Sequence, residues 1–273
     1  MTAFTTHFSF ELRTGIRNKN LLLMNYLFPL GFYLMIGFIM PSINPAFLQT
    51  MVPGMVTFAI LAATLLGIPD PLVNAREAGI FRSYKINGVP AGNILIMPAL
   101  TTMLHLSIVT LIILVTAPIL FGAPLPTNWP AFGLIFLVTA MACAGLGVLI
   151  GVISPSTRLT VLYSQVIFIP SMILGGLMLP YEFLPEGAQL IAQLLPATQA
   201  MNAFLGLAMG ETAVFNPWLS VIILFSAGIL ALGLGRYLFT WDSRNATRVK
   251  QRWLGLLVFL PYVVGILLQG LNF

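Results

Sequence analysis

The chain has 273 residues, of which 59% are hydrophobic and 7% charged, and its formal net charge is +5. Soluble domains carry about 25% charged residues, so this composition excludes a water-soluble globular protein. The mean hydropathy of +0.99 indicates an integral membrane protein. The positive charge does not indicate nucleic-acid binding, because Lys and Arg are scattered between apolar runs and form no continuous basic face.

Apolar runs long enough to cross a bilayer recur along the chain. About 20 residues, at a rise of 1.5 Å per residue, cross the hydrocarbon core. This length predicts six membrane-spanning helices, over residues 21–40, 51–68, 93–120, 131–153, 159–179 and 217–239. The predicted fold class is therefore an all-α integral membrane protein, with one transmembrane domain over residues 1–252.

Three further segments lie outside this up-and-down pattern. Residues 6–16 carry apolar side chains at i, i+4 and i+8, which favours a helix in the membrane interface over a polar tail. Residues 181–211 hold apolar pieces too short to span, and we expect two short re-entrant helices rather than an unstructured loop. Residues 253–273 form an apolar extension interrupted by Pro261 and Gln269. For this extension a seventh span is favoured over a hairpin or an amphipathic tail.

The positive charges predict the orientation of the chain. In the six-helix arrangement all twelve fall on one side: Arg13, Arg17, Lys19, Arg76, Arg82, Lys85, Arg158, Arg236, Arg244, Arg248, Lys250 and Arg252. The other side holds Glu182, Glu186 and Glu211. The positive-inside rule therefore predicts a cytoplasmic N-terminus in a multi-pass protein of the cell membrane.

Motifs for catalysis and cofactor binding are missing from the sequence. There is no Gly-Lys pair, and hence no phosphate-cradling loop, and no H-E-x-x-H, G-x-S-x-G or C-x-x-C. We therefore expect no catalytic residue, cofactor or metal in this chain. Gly147-x-x-x-Gly151 is a helix-packing motif that is unspecific about function. The dispersed methionines favour packing over copper binding.

Few ionisable groups fall within or close to the predicted spans. Asp70 lies at a helix end, where a capping or solvated role is favoured. His105 either lines a pathway or, as we favour, is a neutral histidine hydrogen-bonded within the bundle. A proton-coupled transporter usually needs several such groups in a relay, and an intramembrane enzyme needs them to converge.

The stretch between the second and third spans, residues 74–90, combines apolar and charged side chains. It contains Ile80, Phe81, Tyr84 and Ile86 together with Arg76, Glu77, Arg82 and Lys85. A short helix here, stopped by Gly88 and Pro90, would present aromatic anchors and an ionic rim to a partner protein. The alternative is a solvated loop.

Two motifs in this chain are similar to patterns of one known family of membrane proteins. Arg76-Glu77-x-Gly79-Ile80-Phe81, followed by Val89-Pro90, is similar to the R-E-x-G-T-L…T-P pattern after that family's second helix, with Ile80 in place of threonine. Leu179-Pro-Tyr-Glu-Phe-Leu-Pro185, with Leu194-Leu-Pro196 and Gly206, resembles the segment between helices five and six. The chain therefore resembles the type-2 permeases of ATP-binding-cassette (ABC) transporters. The resemblance runs from about Phe8 to Phe239, in order and with the family's helix spacing.

The resemblance implies a subunit that dimerises with a second copy or a paralogue. Each subunit would dock on a separate ABC ATPase, which binds ATP and Mg. The docking element would be a coupling helix formed by Arg76, Glu77, Gly79, Ile80, Phe81, Arg82 and Tyr84. In this family the substrate path lies at the dimer interface, mainly along the first, second and fifth helices.

Candidate residues for that path are the polar side chains of spans two and five: Thr57, Thr64, Tyr163, Ser164, Gln165 and Ser171. Some of these would instead make hydrogen bonds that pack helices. Glu182, Phe183 and Pro196 are candidates for an outer gate. We expect ATP-driven export of a hydrophobic or amphipathic substrate, drug or lipid-like, and the alternative is a stand-alone secondary transporter or channel.

Overall fold

The computed structural model of the chain describes residues 19–242 and 251–270. Within these ranges it is helical and contains no strand, which confirms the predicted fold class. The main helices in chain order are α1 Leu23–Ile43, α2 Phe47–Glu77, α3 Ile80–Ile86, α4 Ala91–Phe121, α5 Trp129–Ile153, α6 Thr157–Leu174, α7 Glu186–Gln193, α8 Pro196–Met209, α9 Pro217–Leu238 and α10 Arg252–Gln269. The interfacial helix predicted over residues 6–16 lies outside the described residues.

Seven of these helices are long and apolar enough to cross a membrane: α1, α2, α4, α5, α6, α9 and α10. Two of them end at least five residues away from the end that the sequence predicts, α2 later and α6 earlier. α2 continues to Glu77 because its polar last part, Pro69–Glu77, packs against α5 and α6 instead of forming a loop. α6 ends at Leu174 because two glycines follow, and Gly176 adopts a φ of +79° that other residues rarely adopt.

Helices α2 and α5 form the centre of the bundle. In their most apolar stretches 94% and 89% of the residues are buried, against 28% for α1, α6 and α10. The two helices approach closely at Gly147, where a Cβ atom would lie 2.4 Å from the backbone oxygen of Thr64. Gly151 contacts Leu72 of α2. The small-residue motif therefore packs helices within one chain.

The segment between α6 and α9 enters the bundle and returns. α7 and α8 meet at an angle of 89°. The bend is at Pro196, which begins α8, where the missing N–H of proline costs no hydrogen bond. The eight residues Pro196–Ala203 are all buried, in contact with α2, α5, α6 and α9. The predicted pair of short re-entrant helices is confirmed.

We call the two ends of the bundle the basic side and the acidic side. The described Lys and Arg residues lie at the basic side, where α2 and α5 end, and Glu182, Glu186 and Glu211 lie at the acidic side. α10 runs from one to the other along α9. Its Gly255 contacts Ile153 at the basic end of α5, and its Gly265 contacts Ile223 near the start of α9.

The seventh candidate span is long enough to cross. α10 begins with a 3₁₀ part, Arg252–Phe259, and the α-helical part that follows it, Leu260–Gly270, continues one residue beyond the candidate span. At about 2.0 and 1.5 Å per residue these measure about 32 Å, against a hydrocarbon core of about 30 Å. Pro261 makes no hairpin, because it lies in the first turn of the α-helical part, where its N–H is not needed.

Candidate functional site

The short helix α3 lies on the basic side between two glycines with positive φ. Gly79 has a φ of 74° and Gly88 a φ of 73°, the left-handed conformation that glycine adopts without steric cost. Gly79 is the N-cap of α3 and turns the chain away from the end of α2. The short helix that the sequence predicts is therefore present, over Ile80–Ile86.

Arg76, at the end of α2, is built into the bundle. Only 5% of it is exposed. Its guanidinium donates hydrogen bonds to the carbonyl oxygens of Gly151 at 3.3 Å, of Val152 at 2.9 Å and of Ser154. These oxygens belong to the end of α5, where carbonyl groups have no partner within the helix and the helix dipole is negative. The prediction that Arg76 belongs to an exposed ionic rim is therefore wrong.

Phe81 faces into the protein. It is 4% exposed, and its ring centroid lies 5.4 Å from that of Phe239, which follows α9. Tyr84, one turn further along α3, is partly buried against the same core. The prediction that Phe81 is an exposed anchor for a partner is wrong. The short helix α3 packs one face against the bundle, and Phe81 lies on that face.

The outer face of α3 combines charged and apolar side chains. Ile80 is 42% exposed and Ile86 is 86% exposed, and Lys85 lies beside them. Arg82 forms an ion pair with Asp242, beyond the end of α9. Exposed apolar side chains surrounded by charges are typical of a partner-binding surface. Glu77 is also exposed at this surface, and Gly79 is partly buried.

Asn74 connects the same region to α6. Its amide nitrogen donates to Asp70 at 3.0 Å, and its side-chain oxygen accepts a hydrogen bond from Thr157 at 3.2 Å. Thr157 is the first residue of α6. Asp70 lies in the first turn of Pro69–Glu77, but its side chain makes no capping hydrogen bond there. Together with the contacts of Arg76 and Phe81, this places α3 on a platform formed by the ends of α2, α5, α6 and α9.

Most of the six predicted pathway residues are buried in the described part of the chain. Four are at most 3% exposed: Thr57, Thr64, Ser164 and Ser171. Thr64 donates to the carbonyl oxygen of Ile60 at 2.6 Å, an ordinary bond within a helix. Tyr163 is 38% exposed, and Gln165 is partly exposed.

A cavity of about 220 Å³ lies at the acidic side, between the start of α2, the end of α6 and α8. Its walls include Phe47, Tyr181 and Phe215, and Glu182 and Glu211 lie at its edge. Thr198 also lines it, with a hydroxyl that has no hydrogen-bond partner among the described residues.

The three predicted outer-gate residues lie in different surroundings. Glu182 lines the cavity, whereas Phe183 is 74% exposed and Pro196 is buried at the bend between α7 and α8. Beside them, Tyr181 donates to the backbone oxygen of Gln189 at 3.2 Å. Burial raises the pKa of the Tyr181 hydroxyl, which further favours its protonated, donating form.

Asn202 is an organising residue that sequence reasoning missed. It is 4% exposed. Its side-chain nitrogen donates to the backbone oxygen of Phe215 at 2.9 Å and to the hydroxyl of Ser220 at 3.0 Å. Its side-chain oxygen accepts from the backbone nitrogens of Val214 at 2.9 Å and Phe215 at 3.2 Å. A single Asn in an apolar segment gives no sequence signal for this role.

His105 is hydrogen-bonded within the bundle, as the favoured interpretation expects. Its Nδ1 atom lies 2.7 Å from the hydroxyl of Tyr26 in α1. His105 also lines a cavity of about 100 Å³ beneath α3, together with Asn25. In the part of the chain that the structure describes, no three His, Cys, Asp or Glu side chains cluster as a metal site would require.

The structure is that of a multi-pass helical membrane protein. It has seven candidate spans, a re-entrant helix pair at one end and, at the other end, a short helix packed on the bundle. Comparison with known proteins identifies it further. The chain belongs to the ABC-2 type transporter family, whose family model matches residues 2–209. It is therefore a membrane transport subunit, and the resemblance that its motifs indicated is confirmed.

The chain is also similar to YvfS of Bacillus subtilis (strain 168), which is named provisionally as a transport permease. The two are 24% identical over 232 residues, which cover 84% of this chain and 93% of YvfS. The family match ends at the last residue of α8, before α9 and α10.

Proposed function

We propose that this chain is the permease subunit of an ABC exporter. It pairs with a second copy or a paralogue, and each permease docks on a separate ATPase subunit that binds ATP and Mg. The substrate is a hydrophobic or amphipathic compound, drug or lipid-like, exported across the cell membrane. The basic side and the N-terminus face the cytoplasm, in agreement with the positive-inside rule.

The attachment of α3 to several spans is the observation that carries this proposal. Its inner face packs on Phe239 after α9, and the residues just before it are bonded to α5 through Arg76. A force on α3 therefore acts on the ends of α2, α5 and α9 together. An ATPase that closes on ATP needs such a rigid contact to move membrane helices.

The outer face of α3 supplies the docking surface in this proposal. Ile86 is the most exposed apolar residue of α3, so it is free to enter a groove of the ATPase. Arg82 and Lys85 form the surrounding rim. Docking anchors of this kind contribute about 2 kcal/mol or more, whereas rim charges contribute about 0–1 kcal/mol.

Substitution of Ile86 tests the proposal. Because Ile86 makes few contacts in its own chain, Ile86→Asp should leave the bundle intact and reduce co-purification of the ATPase at least about tenfold. Leu125→Asp is the matched control, since Leu125 is 40% exposed but lies on the acidic side, between α4 and α5. Normal docking and ATPase stimulation with Ile86→Asp would contradict a coupling role for α3.

The nucleotide chemistry gives a second test. The chain has no phosphate-cradling loop, so the purified permease should not hydrolyse ATP until the ATPase subunit is added. Hydrolysis of ATP by the permease alone, at a rate that scales with its concentration, would contradict the proposal that a separate subunit hydrolyses ATP.

A further inference from the structure

An apolar groove opens between α5, α6 and α10, near the basic side. Its volume is about 340 Å³. On α5 its lining extends from Leu146 to Ile153, about 10 Å along the helix axis. Val166 of α6 and Leu256 of α10 stand at its opening and are 70% and 68% exposed. The groove therefore opens outward from the bundle, where a bilayer would supply acyl chains.

The end of the groove nearest the basic side carries a cation. Arg252 lines it, and Trp253 lies next to Arg252 with 64% of its surface exposed. No carboxylate lines the groove, and among the described residues Arg252 forms no salt bridge. Arg252 repels the guanidinium of Arg76, and Glu77 partly offsets this repulsion at Arg76. A negatively charged group beside Arg252 would relieve this repulsion.

The depth of these residues fits a lipid headgroup. Trp side chains concentrate at the level of headgroups, and basic residues beside a span attract anionic lipids. In the sequence Arg252 follows Arg244, Arg248 and Lys250, which add to the positive charge of this part of the chain. An acyl chain in the groove would fill space that the side chains of α5, α6 and α10 leave open.

We propose that this groove binds one anionic phospholipid from the leaflet on the basic side. An acyl chain lies between α6 and α10, and the headgroup phosphate accepts hydrogen bonds from the guanidinium of Arg252. Tyr163, which the sequence suggests as a pathway residue, lines this lipid groove. The bound lipid holds α10 against the bundle. The site does not depend on the function proposed above, because it needs neither ATP nor a docked ATPase.

Fluorescence quenching by brominated lipids tests the site directly. The chain has four tryptophans, and replacing Trp129, Trp218 and Trp241 by Phe leaves Trp253 as the only reporter. This variant is reconstituted in vesicles that contain phosphatidylglycerol or phosphatidylcholine, brominated near the carbonyl end of the acyl chains. We expect a preference of about fivefold for brominated phosphatidylglycerol in the quenching of Trp253, because one surface cation contributes about that factor.

Two arginine variants assign the preference to the site. Arg252→Gln should abolish it, and Arg252→Lys should retain most of it because the charge remains. Arg158→Gln is the matched control, since Arg158 is exposed on the basic side but does not line the groove. The circular dichroism of each variant confirms folding.

Three outcomes would overturn the proposal. Equal quenching by the two lipids would mean that the groove takes any bilayer lipid. Absence of quenching by both would mean that protein, such as a second copy of the chain, covers the groove. A preference that survives in Arg252→Gln would place the headgroup elsewhere.

Discussion

The guanidinium of Arg76 donates a hydrogen bond to the backbone oxygen of Ser154, the residue that follows the last residue of α5, across 78 positions of sequence. Two more carbonyl oxygens of the same turn accept bonds from it. A buried arginine usually needs a carboxylate partner. Here the negative end of a helix replaces it, and two central helices are joined at their ends.

Replacing Arg76 should therefore cost more than replacing its exposed neighbour. In Arg76→Gln the carbonyl groups lose a charged donor, and we expect a loss of about 2–3 kcal/mol in the free energy of unfolding. In Arg82→Gln an exposed ion pair with Asp242 is lost, and we expect less than about 1 kcal/mol. Thermal unfolding of the two variants in detergent compares them. Equal losses would mean that the bonds of Arg76 contribute no more than a surface pair.

Gly147 should tolerate no side chain. A Cβ atom there would lie 2.4 Å from the backbone oxygen of Thr64, so in Gly147→Ala α2 and α5 must separate. We expect a loss of about 1–3 kcal/mol in unfolding free energy. Gly133→Ala, in the same helix with nothing within 4 Å of the new Cβ, should be neutral or stabilise by up to about 1 kcal/mol. Tolerance of both substitutions would show that the two helices do not pack closely.

Asn202 should control the order of the segment before α9. In Asn202→Asp the donor to the Phe215 oxygen becomes an acceptor, and a charge is buried, so the segment should detach. Once the segment detaches, the backbone N–H groups of Val214 and Phe215 no longer lie within hydrogen-bond distance of residue 202. Hydrogen exchange at these two amides should therefore accelerate at least about tenfold. Asn128→Asp is the control, because only its oxygen accepts a bond, from the backbone nitrogen of Ala131. Unchanged exchange in Asn202→Asp would contradict the network.

The direction of α10 predicts the location of the C-terminus. α10 runs from the basic to the acidic side, so a cysteine inserted after Asn272 should face outside if the basic side is cytoplasmic. Cys143 is buried and is replaced by Ala to leave one thiol. A membrane-impermeant thiol reagent should then label intact cells. Labelling only after the membrane is opened would show that α10 does not cross.

Much of the architecture was predictable because it follows from the lipid solvent. A bilayer accepts only segments of about 20 apolar residues with satisfied backbone groups, so hydropathy alone gave the first six spans. The asymmetry of Lys and Arg separated the two sides of the bundle. The break at Pro196 and the shortness of its neighbouring runs predicted the re-entrant helices. Features of this kind depend on the local sequence, so they can be predicted without knowing which helices pack against each other.

The tertiary structure alone decided which side chains are available for function. Phe81 and Ile86 are both apolar residues of α3, and no local pattern distinguishes them. Phe81 is buried because Phe239, 158 positions away, lies beneath it, whereas Ile86 is 86% exposed. From the sequence alone Arg76 is predicted to be a surface charge, but folding places the end of α5 beside it. Hydropathy places a residue along the membrane normal, but burial depends on contacts between distant segments, which only the folded chain brings together.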